Sequence, residues 1–277
     1  MFKNLNKILE SNVTTSPFPH LVIDNFLDTS TVNDLHNELR LNLSKEKSEQ
    51  VVQEIETDNQ KQYGAYALTQ KNLESNPNLK VSSEVNSFFK SKEFMQSLVN
   101  KLSGFLEGST GFDKKNILKE IKQDTLNSEI AFLPPSNSAK RREIHLDDTS
   151  VILGFLYYVR LPEDYSFGGS LNLLSREERY LFKSKIGTLA CDMLNIYPSD
   201  LSIEKTYDYT DNRLIVLCAS GYSWHEVSTR RCAITPRITF HGALHNSEKN
   251  NLSLYAQNKI LGNPLKKKLK HLFKLIK

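Results

Sequence analysis

From about Asn127 to Ser247 the chain passes through short β-rich runs separated by turn residues, and no stretch between them carries the apolar period of a connecting helix. Parallel strands need long, usually helical crossovers, so these runs must pair antiparallel. They are Glu129–Leu133, Arg142–Asp147, Val151–Arg160, Gly169–Leu174, Leu194–Tyr197, Arg213–Ala219, Tyr222–Val227 and Ala233–Leu244, with Pro134-Pro135, Gly168-Gly169 and Gly221 marking turns. Eight short strands with irregular connections predict a double-sheet jelly roll rather than a βαβ fold. No internal repeat is visible.

The first part of the chain has a different texture. Phe18–Phe26 reads as one early strand, opened by prolines. Asp28-Thr29-Ser30-Thr31 offers capping residues ahead of Val32, Leu35, Leu39 and Leu43, whose spacing of three and four marks one helix face. A second helix is predicted over about Ser83–Leu106, with Val85, Phe88, Phe89, Phe94, Leu98, Val99, Leu102 and Phe105 as its buried stripe. The polar stretch 45–77 between them reads as an exposed excursion, and its segment 63–66 as ordinary loop packing. The fold class is therefore mainly β with helical N-terminal support (α+β). Residues 1–126 are the helical support with one early strand, 127–247 the β core, and 248–277 a C-terminal extension.

Composition removes several alternatives. Only 11 Gly and 9 Pro occur in 277 residues, which excludes collagen-like and low-complexity chains. No apolar run approaches the ~18 residues of a membrane span. The N-terminus has no continuous apolar segment of the signal-peptide kind, so the expected location is cytoplasmic. Cys191, Cys218 and Cys232 lack any CxxC spacing and are expected to be buried, reduced thiols. The net charge of +4 is concentrated in the last residues: Pro264–Lys277 carries six lysines and no acid, and without them 30 basic side chains face 32 acidic ones. The body is thus no nucleic-acid platform, and no specific nucleic acid is expected as partner. Leu265, Leu269, Leu272, Phe273 and Ile276 fall on one helical face among those lysines. Such a basic amphipathic helix suits peripheral contact with an anionic membrane or an acidic partner, or packing on the protein's own core.

The chemistry-bearing residues are His145 and Asp147, then His225, then Arg237. Positions i and i+2 of a strand point to one face, so His145 and Asp147 present an imidazole and a carboxylate together. His225, from a distant strand, completes a two-histidine, one-carboxylate set of the kind that holds non-haem Fe(II) with open coordination positions. Asp148 has the wrong parity. An arginine projecting inward from a jelly-roll strand is costly unless an anion meets it. A dicarboxylate co-substrate with one end on iron and the other on Arg237 answers both requirements. His241 lies on the same face as Arg237 and reads as a satisfied core or rim histidine; Arg230 and Arg231 read as a solvated loop, and Trp224 as wall packing.

With these residues in view, Glu129 to Leu244 resembles the catalytic core of Fe(II)/2-oxoglutarate-dependent dioxygenases, in particular the prolyl-4-hydroxylase-like group. The resemblance is carried by His145-Leu146-Asp147, the strand Gly154–Arg160, the turn Gly168-Gly169-Ser170-Leu171, Trp224-His225-Glu226-Val227 and Arg237-Ile238-Thr239-Phe240. Phe18–Leu27 is similar to the opening strand of such domains. The resemblance implies His145, Asp147 and His225 as catalytic iron ligands and Arg237 as the anchor for the distal carboxylate of 2-oxoglutarate. It places Tyr158 beside that carboxylate, a register slip exchanging it with Tyr157. It further implies O2 as co-substrate, ascorbate as a candidate accessory cofactor, and hydroxylation of a C–H bond with release of succinate and CO2. Phe132–Pro135, the polar insert Ser136–Arg142 and Gly242-Ala243-Leu244 depart from the group's pattern, so the substrate is read as a prolyl peptide, a small metabolite or a sugar. The alternative is a non-oxidative cupin-type metal protein or a sugar-binding jelly-roll module, neither of which needs Arg237 as an anchor.

Overall fold

The computed structural model describes residues 2–43, 61–62, 65–110, 114–122, 125–135, 142–147, 150–175, 201–220 and 222–246. Eleven strands form two antiparallel sheets in these residues: β1 His20–Ile23, β2 Lys61–Gln62, β3 Ala65–Thr69, β4 Leu126–Leu133, β5 Arg142–His145, β6 Val151–Val159, β7 Leu171–Ser175, β8 Ser202–Tyr207, β9 Arg213–Cys218, β10 His225–Val227 and β11 Arg237–His245. The larger sheet has the order β1-β9-β6-β11-β4-β3-β2 and the smaller the order β5-β10-β7-β8. From β4 to β11 the chain crosses between sheets at every step but β7 to β8, which is the winding of a double-stranded β-helix.

One face of the larger sheet is covered by helices. Leu153, Phe155 and Tyr157 of β6, with Ile238, Phe240 and Leu244 of β11, are buried against Phe26, Phe88, Phe89 and Phe94. Phe89 packs within 5.2–5.7 Å, centroid to centroid, of Phe155, Tyr157 and Phe240. The helices are α1 Leu5–Glu10, α2 Thr29–Asn42, α3 Gln70–Ser75, α4 Lys80–Phe89, α5 Lys92–Thr110 and α6 Lys114–Lys119. Alternate residues of the same strands, Leu156 and Tyr158 among them, face the space between the sheets.

The helix predicted over Ser83–Leu106 is two helices. The Lys90 N–H closes α4 on the Asn86 carbonyl at 2.9 Å, and the Ser91 hydroxyl accepts from Phe94 N at 3.2 Å, so a side-chain cap starts a new helix where the apolar stripe alone suggested continuity. The Glu38 carboxylate of α2 accepts from Val81 N and Ser82 N at 2.6 and 2.7 Å and so caps α4 across a helix–helix contact. α2 itself begins where expected, although Asp28 makes no side-chain cap bond. The polar stretch 45–77 is in part sheet and helix, because Ala67, Leu68 and Leu73 supply enough apolar surface to pair β3 with β4 and bury α3. The strand expected at Leu194–Tyr197 and the C-terminal amphipathic helix lie outside the described residues. No helix among the described residues is long and apolar enough to cross a membrane. Cys218 is buried, but Cys232 is exposed in a turn at φ 55°, so the expectation of buried thiols fails there.

Asn212 ties the N-terminal segment to the strands. Its carboxamide oxygen accepts from Leu27 N (2.7 Å) and Tyr157 Oη (3.0 Å), while its amide donates to Leu27 O (2.9 Å). Gly242 marks the tightest approach in the sheet: a Cβ there would stand 2.1 Å from Asn127 O and 2.7 Å from a Phe155 ring carbon. Gly242→Ala is expected to cost about 2–3 kcal/mol of stability. Urea denaturation checks this, and an unchanged midpoint would show that the β4–β11 ladder moves apart freely.

Candidate metal and anion site

His145 ends β5 and His225 opens β10, and the register sets them directly opposite one another. Facing residues of paired strands share one sheet face, so the two imidazoles stand together, ring centroids 4.2 Å apart at 57°. The strand expected to reach Asp147 stops at His145, and Asp147 follows on the next segment. Its carboxylate nevertheless turns back, with Oδ1 3.7 Å from His225 Nε2. One ligand atom from each of His145, Asp147 and His225 lies within 4.8 Å of the other two. No other group of three or more histidine, cysteine or acidic residues among the described residues is arranged to hold a metal.

The donor chemistry fits a divalent transition metal. His225 is buried, and its Nδ1 sits 2.9 Å from Ser223 O, a bond that places the proton on Nδ1 and leaves Nε2 on the side of Asp147. Two imidazole nitrogens and one carboxylate oxygen, with no fourth protein ligand among the described residues, suit non-haem Fe(II) and leave coordination positions for small molecules. Gly154 backs this corner: a Cβ on it would lie 3.6 Å from Asp147 Oδ2.

The second pole is cationic. Arg237 starts β11 and extends its guanidinium over the Tyr158 and Tyr209 rings, 5.2 and 5.1 Å from their centroids. Its Nε reaches Gly169 O at 3.3 Å, whereas buried Nη2 makes no hydrogen bond to a described residue, and neither does the buried Tyr158 hydroxyl. No carboxylate among the described residues pairs with Arg237. A buried donor left unmade costs about 1–3 kcal/mol, more for a charged group, a cost that an anion accepting from Nη2 would offset. Burial raises the Tyr158 phenol above its ordinary value, against the opposing charge of Arg237, and so keeps it a hydrogen-bond donor. The register separates the adjacent tyrosines: Tyr158 faces Arg237, while Tyr157 faces the helices and donates to Asn212. Gly168 and Gly169 carry φ of 81° and 71°, and a Cβ on Gly169 would press on Arg237 Nε at 3.4 Å.

No protein-family model and no curated protein sequence matches the chain. Among solved structures, a prolyl hydroxylase in complex with a hypoxia inducible factor oxygen degradation domain peptide fragment from Trichoplax adhaerens is similar over 91% of this chain and 93% of that one, at 15% identity and a TM-score of 0.48. A Pseudomonas putida prolyl-4-hydroxylase is similar over 88% and 98%, at 14% identity and a TM-score of 0.42. SnoK, a non-haem alpha-ketoglutarate-dependent carbocyclase from nogalamycin biosynthesis, is similar over 88% and 83%, at 10% identity and a TM-score of 0.47. These likenesses are of fold alone. What fixes the architecture of this chain is its own strand order.

Two residues of the pocket gave no signal in the sequence. Tyr209, edge-on to Tyr158 at 5.3 Å, sits in the polar run Asp208–Asn212, where no periodicity marks it as buried. Its hydroxyl donates to Val159 O and accepts from Ile238 N at 2.9 Å, and burial pushes its pKa up to about 12. Arg230 corrects an expectation. Far from lying in a solvated loop, it is 2% exposed and bonds Asp164 Oδ2 (2.7 Å), Ser166 Oγ (2.6 Å) and Thr235 O (2.7 Å). The buried Asp164 carboxylate makes an arginine possible there, and nothing in the local sequence announces that pairing across 66 positions. Arg231 is exposed, and His241 is paired with Glu129 at 3.1 Å.

Proposed function

We propose that this chain is an Fe(II)- and 2-oxoglutarate-dependent dioxygenase of the prolyl-4-hydroxylase-like group. It hydroxylates a C–H bond of a small-molecule or peptide substrate and releases succinate and CO2. The observation that carries the reading is the coexistence, across one intersheet space, of a two-histidine, one-carboxylate cluster on the smaller sheet and a half-buried guanidinium on the larger one whose buried Nη2 is unused. A cupin-type metal protein accounts for the first and leaves the second as an uncompensated cost.

Each residue has a defined task in this reading. His145, Asp147 and His225 would hold the metal, and the Ser223 carbonyl fixes the His225 tautomer. Arg237 and Tyr158 would bind the distal carboxylate, the guanidinium providing charge and the phenol a second donor, and so orient the co-substrate. The apolar wall of Leu171, Leu173 and Ile215 keeps water from the anion's end. Iron with 2-oxoglutarate and O2 supplies the oxidising chemistry that none of these side chains possesses.

The test needs no knowledge of the substrate. Under anaerobic conditions, Fe(II) followed by 2-oxoglutarate should produce the visible charge-transfer band of the chelate in the wild type, and His145→Ala should abolish it. A folded, iron-bound wild-type protein without the band would sink the reading.

A further inference from the structure

β6 and β11 lie side by side, and their residue pairs define rows across the floor of the intersheet space. One row is Gly154 with Ala243, beneath Asp147; another is Tyr158 with Thr239, next to Arg237. Between these rows lies Leu156 with His241, and on the far side of β11 His241 faces Glu129 of β4. Successive residues on one face of a strand are about 7 Å apart, so the His241–Glu129 pair stands one step from the metal corner and one step from the row of Tyr158. His241 Nε2 is 3.1 Å from Glu129 Oε1, and the side chains keep 31% and 19% exposure although both grow from the inner face of a sheet. Solvent therefore reaches them through the intersheet space. Small neighbours, Gly154, Ala131 and Ala243, leave the pair uncovered.

We propose that the His241–Glu129 pair is the polar anchor of the primary substrate and that it takes a cationic amine, an assignment that rests on the preceding reading of this space as a reaction site. With His241 neutral and its proton on Nε2, the ring nitrogen 3.1 Å from Glu129 Oε1, the pair offers a donor acceptors only: the second Glu129 oxygen and His241 Nδ1. Neither side chain makes a hydrogen bond to a described residue, and no lysine or arginine among them pairs with Glu129. An apolar ring such as that of a prolyl residue would strip water from these acceptors and return nothing. An ammonium group donates to both and meets the carboxylate's charge.

The experiment is calorimetric titration of the protein, metal-free and loaded anaerobically with Fe(II) and 2-oxoglutarate, with n-pentylamine and with 1-pentanol. The wild type should bind the amine about tenfold or more tightly than the alcohol, as a charge-assisted bond in a half-buried site requires. Glu129→Gln, which keeps the side chain's shape, should erase the preference while leaving the chelate band in place. Equal affinity for the two probes in the wild type, or a preference that survives Glu129→Gln, would overturn the assignment. The wild-type comparison needs no variant to fold. An amine preference without a chelate band would sink the oxygenase reading and keep the anchor; a band without the preference would do the reverse.

Discussion

Arg237→Ala is expected to weaken 2-oxoglutarate binding roughly a hundred- to a thousandfold while Fe(II) still binds. Truncating one partner of a buried, hydrogen-bonded charge pair costs about 2–5 kcal/mol, most of it from the charge left behind without a counterpart. Here the charge left behind is the co-substrate's distal carboxylate, facing Tyr158 alone among the donors of that pocket. The proposed metal ligands lie on other strands, β5 and β10 and the segment after β5, so the substitution does not touch them. Arg237→Lys should fall between, since an ammonium keeps the charge and loses the planar fork. Titrating 2-oxoglutarate against the chelate band, with iron content measured in parallel, decides the matter. Unchanged affinity would make Arg237 a structural residue, and loss of iron or of fold would place its role elsewhere.

The second large effect concerns stability. Asp164→Ala is expected to cost about 3–5 kcal/mol, because it strands the buried Arg230 guanidinium. For a chain of this size that is a melting-temperature loss of roughly 6–20 °C. Replacing both partners, Arg230→Met with Asp164→Leu, should recover most of the loss, since the pair's own net contribution is small once both charges are removed. The pair also has a pH signature. Burial alone would raise the Asp164 carboxyl, yet hydrogen bonds from Ser166 and the charge of Arg230 hold it below its ordinary value. A carboxyl whose folded value is depressed stabilises above the unfolded carboxyl range, about pH 4, and this contribution is lost as pH falls through the folded value. Acid melts of wild type and of Asp164→Ala should therefore converge as pH falls through the folded value, while the double variant lacks this pH dependence. A single variant as stable as the wild type would show that water reaches Arg230.

The sequence made the apolar strands legible because burial on both faces leaves long β-branched and aromatic runs, as in Val151–Val159 and Arg213–Cys218. The His145–Asp147 pair was legible for the same local reason, two ligands within three residues. β8 was not: Ser202–Tyr207 is exposed along most of its length, so no apolar alternation distinguishes it from a loop. The break between α4 and α5 turns on one serine hydroxyl, which a periodicity argument weighs no more than any polar residue. Arg230, Tyr209 and Glu129 escaped because their meaning comes from partners far along the chain: Asp164, Tyr158 and His241. Local pattern announces an element, whereas a site assembled across strands shows itself only through register.

The smaller sheet carries both histidines, and β5, which holds His145, is its edge strand among the described residues, four residues long and paired only with β10. A short strand held on one side opens more readily than one held on both, and such openings set the low end of a protein's local stability. An ion held between His145 and His225, as proposed, would also clasp that edge to its neighbour. On the proposed reading, metal affinity and the closing of this margin would be one equilibrium, so a short seam of the smaller sheet would be latched by the same event that equips the site to react.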